Sequence, residues 1–273
     1  MKLGVFIPLN QEVEAEFAKV RDFGFPTCQL NGWDKRQFTN EIADRVVRAS
    51  QEYAVEITSF WCGWEGPGIW DLVEGPLTLG LVPQGYRHER LKMLMAGSDF
   101  AKKLGVENLI THVGFIPENP NDPEYKSLVA TLRYLAQYCG TNGQYFMFET
   151  GQETPVTLLR TIEDMGLDNV GINLDPANLI LYGKGNPVDA LDVFGQYVRG
   201  VHAKDGLYPT TGRDLGKEVP LGQGKVNITA LVARLTEIGY TGPLTIEREI
   251  SGEQQVADIR AAKALLEKLI GDV

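Results

Sequence analysis

Short apolar runs alternate along the chain with longer amphipathic segments. Eight of the runs have the alternation or the β-branched and aromatic content that is typical of strands: KLGVFI, TCQL, VEITSFW, ENLITHV, QYFMFET, NVGINLD, YVRGVHAKD and PLTIERE. Between them apolar residues recur every three or four positions, which predicts helices in segments such as NEIADRVVRASQEY, ERLKMLMAGSDFAKKLG, EYKSLVATLRYLAQYC, TPVTLLRTIEDMG and NITALVARLTEIG. Gly105, Gly166 and Gly239 follow three of these segments, where C-terminal caps are expected.

This repeated strand and helix order predicts an α/β protein, a single (β/α)8 TIM barrel that forms one domain over residues 1–273. An open doubly wound sheet is the alternative, but no GxGxxG motif follows the first strand. Residues 63–84 and 206–226 form two longer loops rich in Gly and Pro. Loops of that length in a compact barrel usually cover a functional site, although flexible insertions are the other interpretation.

Composition narrows the functional classes. Hydrophobic residues make up 43% of the chain, yet no apolar run approaches the ~20 residues of a membrane helix, and the N-terminal MKLGVFIPLN is too short for a signal peptide core. We therefore expect a cytoplasmic protein without a membrane partner, and a homo-oligomer is compatible with the sequence. The three cysteines lack a CxxC spacing, which favours reduced, packed thiols over disulfides or a thiolate zinc site. The net charge of −10 argues against nucleic acid as a partner.

Polar side chains follow five consecutive predicted strands. In a barrel of this kind the active site lies at the carboxyl ends of the strands, and the fourth to eighth runs reach His112, Glu149, Asp175, His202 and Glu247 there. Three carboxylates brought together would repel one another unless a divalent cation lay among them. Oxygen-rich ligation with one imidazole suits manganese, magnesium or cobalt better than a structural zinc ion. We therefore expect one divalent metal ion, with manganese placed first.

The ordered motifs FMFET with Glu149, NLDPANL with Asp175, VHAKD with His202 and TIERE with Glu247 resemble those of the xylose isomerase-like TIM-barrel sugar (phosphate) isomerases and epimerases. The resemblance covers essentially the whole chain. It implies that these four residues hold one divalent metal ion, and that Glu149 and Glu247 also exchange protons with the substrate from opposite faces.

The expected activity is that of a metal-dependent isomerase or epimerase in carbohydrate metabolism. A metal bound to the carbonyl and neighbouring hydroxyl of a ketose, or of a related keto-sugar or cyclitol, acidifies the adjacent C–H bond, and a carboxylate can remove that proton to give a cis-enediolate. One alternative is a metal-dependent dehydratase or lyase that acts next to a carbonyl, on an inosose or a keto-glycoside. A non-catalytic sugar-binding module is the other, and the costly cluster of carboxylates argues against it.

Further residues are candidates for contact with the small-molecule substrate. The family often has a histidine three residues after the aspartate of the sixth strand, and here Asn178 stands there. The family's arginine in the seventh loop has no fixed counterpart, with Lys204 and Arg213 as candidates. His112 could bind a sugar hydroxyl, whereas His88 is expected at the surface. Aromatic rings that could stack on a sugar cluster near the second and third strands: Trp33, Trp61, Trp64 and Trp70.

Apurinic-site endonucleases share this fold and a related order of ligands, but they use extra histidines to bind three zinc ions. His112 and His202 match two of those positions, Asn178 replaces a third, and His88 is the only other histidine in the chain. We therefore expect no cleavage of abasic DNA.

Overall fold

The computed structural model describes residues 1–271. Its central feature is a closed barrel of eight parallel strands in the order β1-β10-β7-β6-β5-β4-β3-β2, which confirms the predicted TIM barrel. A separate antiparallel hairpin pairs β8 with β9. The strands are β1 (Lys2–Pro8), β2 (Thr27–Gly32), β3 (Glu56–Cys62), β4 (Asn108–Thr111), β5 (Tyr145–Glu149), β6 (Val170–Leu174), β7 (Val198–Ala203), β8 (Asp205–Leu207), β9 (Lys217–Val219) and β10 (Pro243–Ile246). The predicted domain runs to residue 273, so its last two residues lie outside the described range.

Helices lie outside the barrel and connect its strands. They are α1 (Val13–Asp22), α2 (Asn40–Tyr53), α3 (Gly75–Thr78), α4 (Gln84–Lys103), α5 (Pro123–Thr141), α6 (Pro155–Met165), α7 (Pro176–Leu181), α8 (Pro187–Phe194), α9 (Ile228–Glu237) and α10 (Glu253–Gly271), with short 3-10 turns at Lys35–Gln37 and Gly195–Tyr197. Helix α4 begins five residues before the predicted segment, because Pro83 precedes its first turn.

Local sequence explains how these helices begin and end. At α6 the Thr154 hydroxyl accepts a hydrogen bond from the Thr157 amide, Pro155 fits the first turn, and Gly166 ends the helix in the left-handed region at φ 62°. Gly105 and Gly239 also have positive φ values, 72° and 77°, as the predicted caps require. The apolar face of each helix packs on the outside of the barrel and forms the main core.

All three cysteines are buried and unpaired, as expected for packed thiols. Burial raises the pKa of the Cys28 and Cys62 thiols far above the usual range. Within residues 1–271, none of the helices is both long and apolar enough to span a membrane.

Two excursions lie over the carboxyl ends of the strands. The first, residues 63–83, follows β3 and contains α3, and the second, residues 204–227, follows β7 and contains the β8–β9 hairpin. The Leu72 amide donates a hydrogen bond to the Arg213 carbonyl, so the two excursions meet. They therefore form a cover over that end of the barrel.

Candidate metal and substrate site

Four side chains converge where β5, β6, β7 and β10 end. Glu149 is the last residue of β5, Asp175 and Glu247 follow β6 and β10 directly, and His202 lies in β7. Each offers a ligand atom within 4.8 Å of those of the other three, and all four residues are buried. The Asp175 Oδ1 atom also caps α7 by accepting a hydrogen bond of 2.9 Å from the Asn178 amide. The structure thus brings together the quartet expected from the sequence.

The imidazole of His202 has two distinct surroundings. Its Nδ1 atom lies 2.9 Å from Glu247 Oε2 and 3.2 Å from Glu149 Oε1. Its Nε2 atom lies 2.6 Å from Gln29 Oε1, and the Gln29 amide donates onward to Ser59 Oγ at 2.8 Å. Because the Gln29 oxygen can only accept, Nε2 carries the proton when the imidazole is neutral, and the Nδ1 lone pair of that form faces the carboxylates. This is the tautomer that a metal ligand needs.

Charge is concentrated in this cluster. Burial lowers the pKa of His202, but the carboxylates of Glu149 and Glu247 raise it more, and the net pKa lies well above its ordinary value. Burial raises the pKa of Glu247, yet Lys204 and His202 outweigh that effect and hold it far below its ordinary value. The carboxylates therefore favour a nearby positive charge, which a divalent cation would also supply.

The residues fit a divalent metal ion. His202 Nδ1 and Asp175 Oδ2 are buried, and neither has a hydrogen-bond partner among the described residues. Buried polar atoms without partners are costly, and a cation coordinated by them would remove that cost. A buried set of three carboxylates and one imidazole matches the preferences of manganese, magnesium or cobalt and contains no thiolate.

A cavity of about 330 Å³ opens beside the quartet. Its polar lining comes from three glutamates, His112 and Asn178, and most of the remaining lining is aromatic: Phe6, Trp33, Trp61, Trp70 and Tyr182. Glu149 and Glu247 belong both to the quartet and to the cavity wall. A small molecule in the cavity would therefore lie directly against these two carboxylates.

Several predicted contact residues line this cavity. His112 follows β4, and its Nε2 atom lies 3.6 Å from Glu149 Oε1. The Trp61 indole donates a hydrogen bond to Glu149 Oε2. Trp33 lies against Trp61, with 4.9 Å between ring centroids, and Asn178 completes this part of the wall.

Other candidates lie elsewhere. Trp64 is buried behind the wall, between Trp33 and Trp70. Lys204 is buried beside the quartet, with its Nζ atom 3.2 Å from both Glu247 Oε2 and Glu249 Oε1. The structure does not bring Arg213 to the cavity: it is exposed in a separate surface depression with Val73 and Thr211 to Asp214. His88 is exposed on α4, as expected.

Buried charged residues hold both covering excursions. The Arg90 guanidinium, fully buried on α4, donates hydrogen bonds to four carbonyls of the first excursion: those of Glu65, Pro67, Thr78 and Gly80. The Asp205 carboxylate accepts from four amides of the second: those of Gly206, Gly222, Gly224 and Val226. Neither residue was among the candidates, since a single arginine or aspartate in a sequence gives no sign of such a role.

Gln29 was also missed, although its position carries a signal. It is a polar residue inside the apolar run TCQL, and a buried amide there needs partners. The register between β2 and β3 shifts between Cys28 and Gln29, so simple alternation along the strand did not indicate where its side chain points.

Comparison with known proteins agrees with the TIM-barrel fold. The family model described as "Xylose isomerase-like TIM barrel" matches residues 17–269. A xylose isomerase domain protein from Planctomyces limnophilus is 37% identical and has a TM-score of 0.93, with 98% of this chain and 96% of that chain covered. The 3-keto-D-glucoside 4-epimerase of E. coli has the same fold at 19% identity and a TM-score of 0.72, with 98% and 99% covered.

A third match is partial. An uncharacterised protein of Methanocaldococcus jannaschii is 28% identical over 162 residues, which are 55% of this chain and 53% of that protein. The chain therefore spans about half the length of this relative. Ketose 3-epimerases and a probable dehydratase are also among the solved structures that share the fold.

Proposed function

The chain belongs to the xylose isomerase-like TIM barrel family, and from its site we propose a divalent-metal-dependent isomerase or epimerase of a ketose or a related keto-sugar or cyclitol. The observation that carries the proposal is that Glu149 and Glu247 are at once members of the buried quartet and walls of the cavity. Manganese is the first choice of metal, with magnesium and cobalt as alternatives. The ketose epimerases among the solved structures of this fold support the same substrate class.

The residues of the quartet divide the chemistry between them. A metal bound by Glu149, Asp175, His202 and Glu247 would polarise the substrate carbonyl and make the neighbouring C–H bond more acidic. One of the two glutamates removes that proton, and the other returns a proton to the opposite face of the same carbon, which inverts it. Return to the adjacent carbon isomerises the sugar instead.

Neighbouring groups suit these two roles. The Trp61 indole donates to Glu149 Oε2 and holds that carboxylate in place. The Lys204 ammonium lies 3.2 Å from Glu247 Oε2 and holds that carboxylate at the cavity wall. His112 and Asn178 line the same cavity and can bind substrate hydroxyls through their ring nitrogen and side-chain amide.

A second candidate is elimination of water next to the carbonyl. Proton removal is the same first step, and His112, whose Nε2 atom lies 3.6 Å from Glu149 Oε1, could protonate a departing hydroxyl. The probable dehydratase among the solved structures of this fold supports keeping this reaction as the alternative.

Proton exchange tests the proposal directly. Protein stripped with a chelator and reloaded with manganese would be incubated in deuterated water with a panel of ketoses, keto-sugars and inososes, and products would be identified by NMR. We expect deuterium at a carbon next to the carbonyl, with an epimer, a positional isomer or a dehydrated product identifying the reaction. Glu149→Gln and Glu247→Gln should each lower the rate about 100-fold or more, whereas the exposed Glu52→Gln should not. Exchange retained in both site variants would place the base elsewhere.

A further inference from the structure

The outer part of the cavity is an exposed aromatic wall. Trp33 and Trp70 both line the cavity, yet 46% and 40% of their surfaces are exposed. They lie on either side of the buried Trp64, at centroid distances of 5.5 Å and 6.0 Å. They reach the neighbours of Glu149, because Trp33 packs on Trp61, which donates to Glu149, and Trp70 lies 5.4 Å from His112. A continuous aromatic surface therefore runs from the metal quartet to solvent.

This wall is rigid. The Arg90 guanidinium lies 5.4 Å from the ring of Trp64 and is bonded to carbonyls on either side of Trp70 in the sequence. An exposed apolar surface that is fixed in place and joined to a cavity is typical of a ligand site. Indole faces stack well on flat rings, and being fixed in advance they lose little conformational freedom on binding.

The charge of the lining limits the ligand further. Three carboxylates line the cavity, those of Glu149, Glu247 and Glu249, and none of the described lining residues is a lysine or an arginine. Phosphate groups are bound by arginine, lysine or clustered backbone amides. The lining therefore disfavours a sugar phosphate and suits an uncharged ligand.

We propose that Trp33 and Trp70 form an outer subsite for the second ring of an uncharged keto-glycoside, whose keto-sugar ring lies against Glu149 and Glu247. This inference rests on the proposed function, which it narrows to one substrate class. It also separates the roles of the tryptophans. Trp61 positions Glu149, Trp64 supports the wall from behind, and Trp33 with Trp70 selects the group attached to the sugar.

Binding of matched compounds tests the outer subsite. Titration calorimetry on the manganese-loaded full chain would compare methyl and phenyl 3-keto-β-D-glucopyranoside with the 6-phosphate of the methyl compound. The phenyl compound should bind about tenfold more tightly than the methyl compound, since aromatic stacking adds to burial. The 6-phosphate should bind more weakly than both. Trp33→Ala and Trp70→Ala should each bring the ratio of phenyl to methyl affinity close to one, while Trp33→Phe and Trp70→Phe should retain part of it.

The control is Tyr134→Ala, which removes an aromatic side chain that is 52% exposed on α5 and does not line the cavity. It should leave the ratio unchanged. Equal binding of the methyl and phenyl compounds, tighter binding of the phosphate, or no binding of any of the three would overturn the outer subsite. A different oligomeric state of the tryptophan variants, measured by sedimentation velocity, would also overturn it, because the wall would then be an interface with a second copy of the chain.

Binding and proton exchange are read separately, which keeps the two proposals distinguishable. A phenyl preference that depends on Trp33 and Trp70, without exchange on any keto-sugar, would leave the outer subsite standing and overturn the proposed isomerase. Exchange on small ketoses without a phenyl preference would support the proposed isomerase and overturn the outer subsite.

Discussion

The position of the proton on the His202 imidazole bears on whether the quartet can bind a metal. His202 has two nitrogens, and the contact between Nε2 and the Gln29 oxygen favours the neutral form in which Nε2 carries the proton. Gln29 is itself fixed by Ser59, whose Oγ atom accepts from its amide at 2.8 Å. Gln29 would therefore act on the proposed metal site through His202, without contacting the cluster of carboxylates, as partners of metal-bound histidines commonly do.

Replacing Gln29 tests this role. Gln29→Leu removes the acceptor at similar volume, so the proton on His202 is no longer held at Nε2, and we expect manganese affinity to fall about 10- to 100-fold. Calorimetric titration of the chelator-treated protein measures the affinity, and circular dichroism verifies the fold. The exposed Gln51→Leu on α2 is the matched control and should bind manganese like the unmodified chain. Equal affinities in both variants would rule out the positioning role of Gln29.

Glu153 is one of the buried carboxyl groups that lie outside the quartet. Glu153 follows β5, is 3% exposed, and its Oε1 atom lacks a hydrogen-bond partner among the described residues. Burial raises the pKa of Glu153 to about 8, even though Lys184 partly opposes the shift. The folded protein therefore keeps this group protonated at neutral pH, whereas the unfolded chain ionises it near the ordinary value of 4.5.

This difference predicts a pH-dependent stability. Because the folded state binds the proton more tightly, the contribution of Glu153 is fully favourable below pH 4.5 and is lost as the pH rises towards 8. Glu153→Gln cannot ionise, so its advantage in unfolding free energy over the unmodified chain should grow across that window. Urea unfolding at several pH values measures this advantage, with the exposed Glu163→Gln as the control. A difference that stays constant with pH would contradict the buried, protonated state.

At the level of elements, strand ends were predictable because two signals coincide there. An apolar run that ends in a polar residue before a loop marks both the strand and the residue at its end, as at Glu149 and Glu247. The hairpin of β8 and β9 was not predicted, because each strand has only three residues and shows no clear periodicity. The loop that follows β9 is held by the Asp205 carboxylate, which a sequence pattern does not reveal. The register shift beside Gln29 likewise arises from pairing between strands and leaves no local pattern.

The covering excursions are ordered by polar anchors, which sets them apart from loops that close only over a ligand. The Arg90 guanidinium is completely buried against carbonyls of residues 65–80. Asp205 does the same for the second excursion with an opposite charge, and Gly224 leaves the required space, because a Cβ atom there would lie 2.0 Å from the Asp205 Oδ1 atom. The wall over the cavity therefore depends on single buried side chains.

Removing the first anchor should loosen the wall. Arg90→Leu leaves four carbonyls without their donor, and because hydrogen bonds to charged groups contribute ~1.5–3 kcal/mol each, we expect a loss of roughly 3 kcal/mol or more in unfolding free energy. Amide hydrogen exchange should rise in residues 63–83 more than in β5 or β6. The exposed His88→Ala on the same helix is the control and should change neither quantity. Unchanged exchange in residues 63–83 would show that the excursion holds its shape without Arg90.

At the scale of the molecule, closure of the barrel brings together carboxylates that are far apart in the chain. Glu149 and Glu247 come from β5 and from the loop after β10, and two other strands lie between β5 and β10 in the barrel. Burying these groups opposes folding, since carboxylates lose hydration and repel one another. The chain also carries a net charge of −10, which adds to this repulsion. A divalent ion in the quartet would offset both effects only in the folded state.

Metal binding should therefore raise the melting temperature of the whole barrel. A ligand that binds only the folded state at 100 times its Kd adds ~2.7 kcal/mol, and for a chain of this length that corresponds to a rise of roughly 5–10 °C. Differential scanning calorimetry with manganese, magnesium and cobalt would measure the shift and rank the metals. His202→Ala should lose most of the shift, while the exposed His88→Ala should keep it. Above the Kd the stabilisation grows with the logarithm of the free metal concentration, so the melting temperature of the unmodified chain should keep rising as metal is added. An equal rise in His202→Ala would place the bound metal outside the quartet.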